Sequence, residues 1–234
     1  MGSAWPTTVV FDLDGTLVDT APDLAAALNH ALAVLGRPPV APASVRTMVG
    51  RGARALLERG LATTGGASPE LVEAGLDPFL DHYRAHIARL SRPFPGVEPT
   101  LDRLAAAGRR LAVCTNKPEA LTHALLAKLG WTGRFAAVLG ADSRPFRKPD
   151  PRHLWAAIEA AGGSPADAVF VGDTAVDLAT ARAAGVRFVL AAFGYLDDPV
   201  EPLGPDASIA HMAELIGALG ELASRVQRSL SPPA

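Results

Sequence analysis

Asp12 and Asp14 stand two residues apart in Val9-Val10-Phe11-Asp12-Leu13-Asp14-Gly15-Thr16. An apolar, β-branched run leads into two carboxylates and then breaks at a glycine, so the acids are expected where a buried strand leaves its sheet. Open α/β sheets bind ligands at that edge. Two carboxylates this close repel unless a cation lies between them or their proton affinities are pushed apart, and enzymes use both arrangements. A plain Asp-Gly turn is the other reading of the pentapeptide.

Three later segments also place polar residues just past an apolar run. In Cys114-Thr115-Asn116-Lys117-Pro118 the strand is expected to stop at Thr115, with Asn116 capping a helix whose first backbone N–H groups would face an anion. Arg147-Lys148-Pro149-Asp150-Pro151 is a stiff loop that presents a cation ahead of another helix. Gly172-Asp173-Thr174-Ala175-Val176-Asp177 supplies a second carboxylate pair, one acid at a strand end and one at a helix start. Oxygen ligands clustered without Cys or His suit a hard cation, and a site completed by water and a phosphate suits Mg²⁺ over Ca²⁺. The bland readings stay open beside this one: Thr115 as a cap, Lys148 as a surface lysine, Asp177 as a residue that favours its helix N-terminus.

The elements that must position these residues alternate. Thr8–Phe11, Arg110–Cys114, 136–140, 168–171 and Arg187–Ala191 read as strands of a buried parallel sheet. Helices over 98–107, 118–129, 152–161 and Ala175–Ala184 complete the pattern of a doubly wound α/β fold, a Rossmann-like core. A short edge strand over 206–210 and a helix over 211–226 follow, and 229–234 is Ser/Pro-rich and expected to fray.

Between about residues 19 and 92 only helical periodicity is present. Thr20-Ala21-Pro22-Asp23 has the form of a capping box opening a helix to Gly36, followed by helices over 43–49, 53–62 and 68–90. The division predicted is a core of residues 1–18 and 93–234 with an all-helical cap over 19–92, inserted after the first strand and hinged at Gly15 and Arg92-Pro93-Phe94-Pro95-Gly96.

Composition narrows the function. A chain of 234 residues that is 49% hydrophobic and 20% charged can withdraw roughly 70% of its unfolded surface and needs no staple. Its 22 basic and 24 acidic residues give a net charge of −2, which argues against a nucleic-acid partner. No apolar stretch approaches the length of a membrane span. The single cysteine, Cys114, cannot form an intramolecular disulfide, so a cytoplasmic protein is expected. Only three of the basic residues are lysines: Lys117, Lys128 and Lys148.

The order Asp12-Leu13-Asp14-Gly15-Thr16, Thr115-Asn116, Lys148 and Gly172-Asp173 to Asp177 resembles the four motifs of the haloacid dehalogenase-like phosphohydrolases, over essentially residues 8–226. Met48 to Ala53, Phe94-Pro95-Gly96-Val97, Thr115 to Pro118, Arg147 to Pro151 and Phe193-Gly194-Tyr195 resemble the phosphoglycolate phosphatase group within it.

The resemblance implies that Asp12 is the nucleophile that forms an aspartyl phosphate, and that Asp14 is the acid and then the base. Asp14 would hold a proton when substrate is bound while Asp12 stays ionised beside the metal. Thr115 and Lys148 would hold phosphoryl oxygens, with Thr16 and Asn116 also at the substrate. Asp12, the Asp14 carbonyl and Asp173 would bind Mg²⁺, with Asp177 a direct or outer ligand.

A cap lysine for Schiff-base phosphonate cleavage is missing from residues 18–92, and Asp14 would be idle in a dehalogenase. The substrate implied is a small phosphorylated metabolite, best 2-phosphoglycolate, handled by a monomer or homodimer. The alternatives are a sugar-phosphate phosphatase, a phosphoglucomutase-like phosphotransferase, or a non-catalytic binding protein. Arg51 or Arg54, beside the flexible Gly50 and Gly52, would pair with the substrate carboxylate, or are two surface arginines in a chain that prefers arginine. His82 and His86 are expected as surface or lid residues, and Trp5, Trp131 and Trp155 as packing anchors.

Overall fold

A computed structural model describes residues 5–196 and 204–230. The main sheet has six parallel strands in the order β5-β4-β1-β6-β7-β8, namely Ala137–Leu139, Arg110–Cys114, Thr8–Phe11, Ala168–Gly172, Arg187–Ala191 and Ala207–Ile209. From β1 the chain steps outward to β4 and β5, returns to β6 on the other side, and steps outward again to β7 and β8. That reversal puts a crevice at the C-terminal end of β1, where doubly wound sheets take ligands.

The apolar runs form buried strands because both faces are covered. Val9 and Phe11 of β1 join a cluster with α5 (Val97–Ala106), α6 (Glu119–Lys128) and α9 (Leu215–Leu230). Val10 joins the opposite cluster with α7 (Pro151–Ala160) and α8 (Ala175–Ala184). All three side chains are fully withdrawn from solvent, and each such burial contributes about 1.5–3 kcal/mol.

The helical region between β1 and α5 comprises α1 (Ala21–Val34), α2 (Pro42–Val45) with a 3₁₀ turn Arg46–Met48, α3 (Ala53–Thr63) and α4 (Pro69–Ala85). Helices α1, α3 and α4 pack on one another. The two linkers meet as an antiparallel pair, β2 (Val18–Asp19) with β3 (Arg92–Pro93), in the register Val18↔Pro93 and Asp19↔Arg92. No helix among the described residues is long and apolar enough to cross a membrane.

The structure corrects two helix termini. Thr20 makes no side-chain cap to α1; the Tyr195 hydroxyl accepts from the Ala21 N–H instead, at 2.8 Å. Asp23 turns away to accept from the N–H groups of Leu90 and Ser91 at 3.0 and 2.8 Å and from the Ser91 hydroxyl at 2.6 Å. The last helix of the insert accordingly stops at Ala85, and the chain turns at Ala88 with φ 62°. At the other end of the chain α9 runs through Ser229 to Leu230; the fraying expected of residues 231–234 lies outside the described residues.

Candidate active site

Four loops at the C-terminal edge of the sheet converge. Phe11 is paired with both Val113 and Val171, so Asp12 leaves β1 between Thr115, beyond β4, and Asp173, beyond β6. Lys148 arrives from the loop between β5 and α7. Asp12, Asp173 and Asp177 are all buried and each offers a carboxylate oxygen within 4.8 Å of the others.

Lys148 Nζ reaches Asp12 Oδ1 at 2.9 Å and Asp177 Oδ1 at 2.6 Å. Burial works against the ammonium, but Asp12 and Asp177 outweigh it and hold Lys148 above the ordinary lysine range. Asp12 Oδ1 also accepts from the Leu13 N–H at 2.7 Å.

One ammonium does not compensate three buried carboxylates. Burial, with Asp177 and Asp14 adding to it and Lys148 opposing, pushes Asp12 up to about 7. Burial, then Asp177 and Asp12, raise Asp173 well above the carboxylate range. Excess negative charge on an all-oxygen donor set is the condition a hard divalent cation relieves.

Local structure locks these acids. Asp173 accepts from the Thr16 hydroxyl at 2.6 Å and from the Tyr195 N–H at 2.8 Å. Gly15, at φ +89°, and Gly194 close over it so tightly that a Cβ on Gly15 would lie 2.1 Å from Asp173 Oδ2. Thr16 is fully buried against Asp173 and lies outside the cleft, so it positions an acid where substrate contact was expected. Asp177 does two things at once. Its Oδ1 anchors Lys148, and its Oδ2 accepts from the Thr174 N–H and hydroxyl in a capping box that opens α8.

Asp14 lies outside that cluster and, with Asp12, lines a cleft of about 470 Å³, open solvent included, between the sheet edge and the insert. Lys117 Nζ contacts both its carboxylate oxygens at 3.0 Å and also donates to the Tyr83 hydroxyl of α4 at 2.7 Å. Thr115 lines the cleft while its hydroxyl accepts from the Lys117 N–H at 3.3 Å.

Asn116 does not cap α6. Its Nδ2 donates to the Gly50 carbonyl of the insert at 3.2 Å and to the Lys148 carbonyl at 3.1 Å, and its buried Oδ1 has no partner among the described residues. Neither Arg51 nor Arg54 lines the cleft. Early in α3, Ala53 and Leu56 face inward, which turns Arg54 to the surface, where it pairs with Glu73 at 2.6 Å.

Lys117, Tyr83 and Tyr195 carry contacts that residue spacing alone did not assign. Lys117 was visible as a scarce residue type within the Thr115 to Pro118 segment but without a role, and Tyr83, which shares a buried stripe with Phe79 on α4, carried no signal of its own. Cys114 is buried beside His153, at 3.6 Å from its Nδ1, and burial pushes the thiol up to about 12, so it is unreactive. His82 stacks on His30 at a centroid distance of 4.5 Å and meets His86 in a tilted contact at 4.3 Å, on the insert and outside the cleft lining.

The comparisons with known proteins agree with this geometry. Residues 6–185 match the family model described as a haloacid dehalogenase-like hydrolase. A phosphoglycolate phosphatase of Caulobacter vibrioides is 52% identical over 203 residues, 86% of each chain. One of Agrobacterium fabrum is 47% identical over 216 residues, 91% of each chain. Among solved structures, one described as a predicted phosphoglycolate phosphatase from Haemophilus somnus superposes with a TM-score of 0.84 at 31% identity, covering 90% of this chain and 96% of that one. The chain belongs to the haloacid dehalogenase-like hydrolases.

Proposed function

We propose that the protein is a Mg²⁺-dependent phosphatase that hydrolyses 2-phosphoglycolate to glycolate and inorganic phosphate. The observation that carries the reading is the different setting of two acids that line one cleft two residues apart. Asp12 is anchored by Lys148 within a cation-seeking cluster, and Asp14 is held outside that cluster by Lys117. The names of the Caulobacter and Agrobacterium relatives support the choice of substrate.

Asp12 Oδ1 is occupied by Lys148 and the Leu13 N–H, which leaves Oδ2 to attack phosphorus. The ester P–O bond breaks as the Asp12–phosphorus bond forms, and the leaving alkoxide takes a proton from Asp14. Water then attacks the aspartyl phosphate and gives a proton back to Asp14, which releases phosphate and restores Asp12. Lys148 holds the nucleophile's charge in place, and Thr115 donates its hydroxyl to a phosphoryl oxygen as charge spreads there. Asp12, the Asp14 carbonyl and Asp173, with Asp177 as direct or outer ligand, would hold Mg²⁺, which when bound neutralises the phosphoryl oxygens. The helices of residues 19–92 serve as a cap over the cleft, hinged at the β2–β3 ribbon.

The test is release of inorganic phosphate from 2-phosphoglycolate and from a panel of sugar phosphates, with Mg²⁺ and with EDTA, beside Asp12→Asn. The expected result is metal-dependent release from phosphoglycolate that falls by at least about 1,000-fold in a folded Asp12→Asn protein. An isomerised sugar phosphate without phosphate release identifies a mutase instead, and turnover that survives Asp12→Asn removes the nucleophile from the scheme.

A further inference from the structure

The cleft has one feature that the reaction at phosphorus does not use. Beyond Asp12, Asp14, Thr115 and Asn116, the last beside Gly50 at one end, its walls are largely apolar, with Leu24, Val49, Leu56, Phe79 and Leu121 among them. Set into this lining is Lys117, whose side chain is only 3% exposed. It is the one cationic residue among the lining residues; Lys148 lies outside that lining and is committed to Asp12 and Asp177.

Tyr83 stands against Lys117 from the insert. The ammonium lies 4.4 Å from the phenol ring centroid and donates to its oxygen at 2.7 Å. Because the Tyr83 oxygen accepts there, its own proton remains to be donated, and no acceptor for it is recorded among the described residues. Burial, with Asp14 and Asp23 nearby, keeps that phenol protonated, well above the ordinary range. A buried cation and a buried hydroxyl proton therefore converge on one spot in an otherwise apolar wall.

Resting on the phosphoglycolate reading above, we infer that Lys117 and Tyr83 form the subsite for the substrate's carboxylate. Lys117 touches both oxygens of Asp14 at 3.0 Å, and Asp14 must itself reach the ester oxygen. An anion that reaches the ammonium from the phosphoryl position therefore sits within about one carboxylate's width of the ester oxygen. A two-carbon acid meets that requirement. A sugar phosphate would bring several hydroxyls against Leu24, Leu56, Phe79 and Leu121, which offer them no side-chain partner. The bound carboxylate shares the ammonium with Asp14 and takes the Tyr83 proton, a charge-assisted pair of the kind that discriminates strongly against an uncharged analogue.

The experiment measures kcat/KM for 2-phosphoglycolate and for 2-hydroxyethyl phosphate, the ester of the same length without the carboxylate, in the Mg²⁺-loaded wild type, Lys117→Met and Tyr83→Phe. The readout is the ratio of the two, whatever happens to absolute rates. The ratio is expected to fall about 100-fold in Lys117→Met and about tenfold in Tyr83→Phe, which keeps the ring packing and decides the matter if the lysine variant does not fold. Equal losses on both esters overturn the inference, because Lys117 then serves Asp14 alone. A wild-type preference that survives both substitutions overturns the subsite and leaves the phosphoglycolate reading standing. A wild type with no preference overturns both.

Discussion

Removing the charge of Asp12 should stabilise the metal-free protein while it abolishes turnover. Asp12 is 3% exposed and is pushed from 3.8 to about 7, chiefly by burial. A carboxyl whose folded value lies above its unfolded value leaves stability intact below the unfolded value, and that stability is lost as pH rises through the folded one. The loss therefore opens near pH 4 and is complete above about pH 7. At roughly 1.4 kcal/mol for each pH unit of displacement, the cost of ionising Asp12 at pH 8 is about 4 kcal/mol as an upper bound, and under about 2 kcal/mol at pH 5.

Asp12→Asn keeps the shape and the contact side of the residue, and Lys148 retains Asp177 at 2.6 Å. We expect the variant in EDTA at pH 8 to gain about 2–4 kcal/mol, a Tm rise of roughly 5–15 °C for a chain of this size, with less than half of that at pH 5. Thermal unfolding followed by circular dichroism at the two pH values reads this directly. Adding Mg²⁺ at pH 8 should raise the wild-type Tm more than that of the variant, because the variant offers the cation one carboxylate fewer. An Asp12→Asn protein that melts below the wild type in EDTA at pH 8, or a gain that does not shrink at pH 5, would refute the view that the cluster is electrostatically strained and built for a cation.

Other substitutions separate the parts of the site. Gly15→Ala forces a Cβ to within 2.1 Å of Asp173 Oδ2 at a backbone φ of +89°, so kcat should fall about 100-fold, with a lower Tm in thermal unfolding. Asp23→Ala strands the buried N–H and hydroxyl of Ser91 at the exit of the insert and frees the Leu90 N–H, and its Tm should drop by roughly 5–10 °C for a loss of about 2–3 kcal/mol. Arg54→Ala removes an exposed pair with Glu73 and should change stability by less than about 0.5 kcal/mol; its KM for phosphoglycolate, measured by phosphate release, should stay within about twofold of wild type.

Legibility in the sequence followed how local each signal is. The strands were readable because a parallel strand buried on both faces must be apolar throughout, and Val9-Val10-Phe11 and Val169-Phe170-Val171 are. The acids at their ends were readable because four polar segments, each directly after such a run, gather at one edge of the sheet, which a single Asp-Gly turn does not explain. What failed was partner choice across the chain. Thr20 and Asp23 have capping-box spacing, yet Tyr195, some 170 residues later, takes the helix N–H and Ser91 takes the carboxylate. The capping box that did form, Thr174 with Asp177, uses an acid that the sequence offered both as the partner of Asp173 and as a helix-start residue, and Asp177 stands in both places. Arg51 and Arg54 sat in the right loop, but the helical phase of α3 turns Ala53 and Leu56 to the cleft and Arg54 outward. Spacing fixes a residue's face only once the neighbouring element is known, and that information is not local.

The two acids differ above all in who surrounds them. Asp12 is held by Lys148 and by its own loop, and the acids clustered with it, Asp173 and Asp177, follow β6, so its environment is built from the core. Asp14 is held by Lys117 from the loop after β4, and Lys117 is held in turn by Tyr83 from α4 of the insert. Asn116, one residue before Lys117, ties the same loop to the Gly50 carbonyl. The recorded hydrogen bonds from the insert therefore reach Asp14 through Lys117, whereas those of the Asp12, Asp173 and Lys148 side chains run to core residues. Exchanging helices of the insert is expected to change protonation of the leaving group more than attack on phosphorus, read as a change in the preference among phosphate esters that exceeds the change in the overall rate.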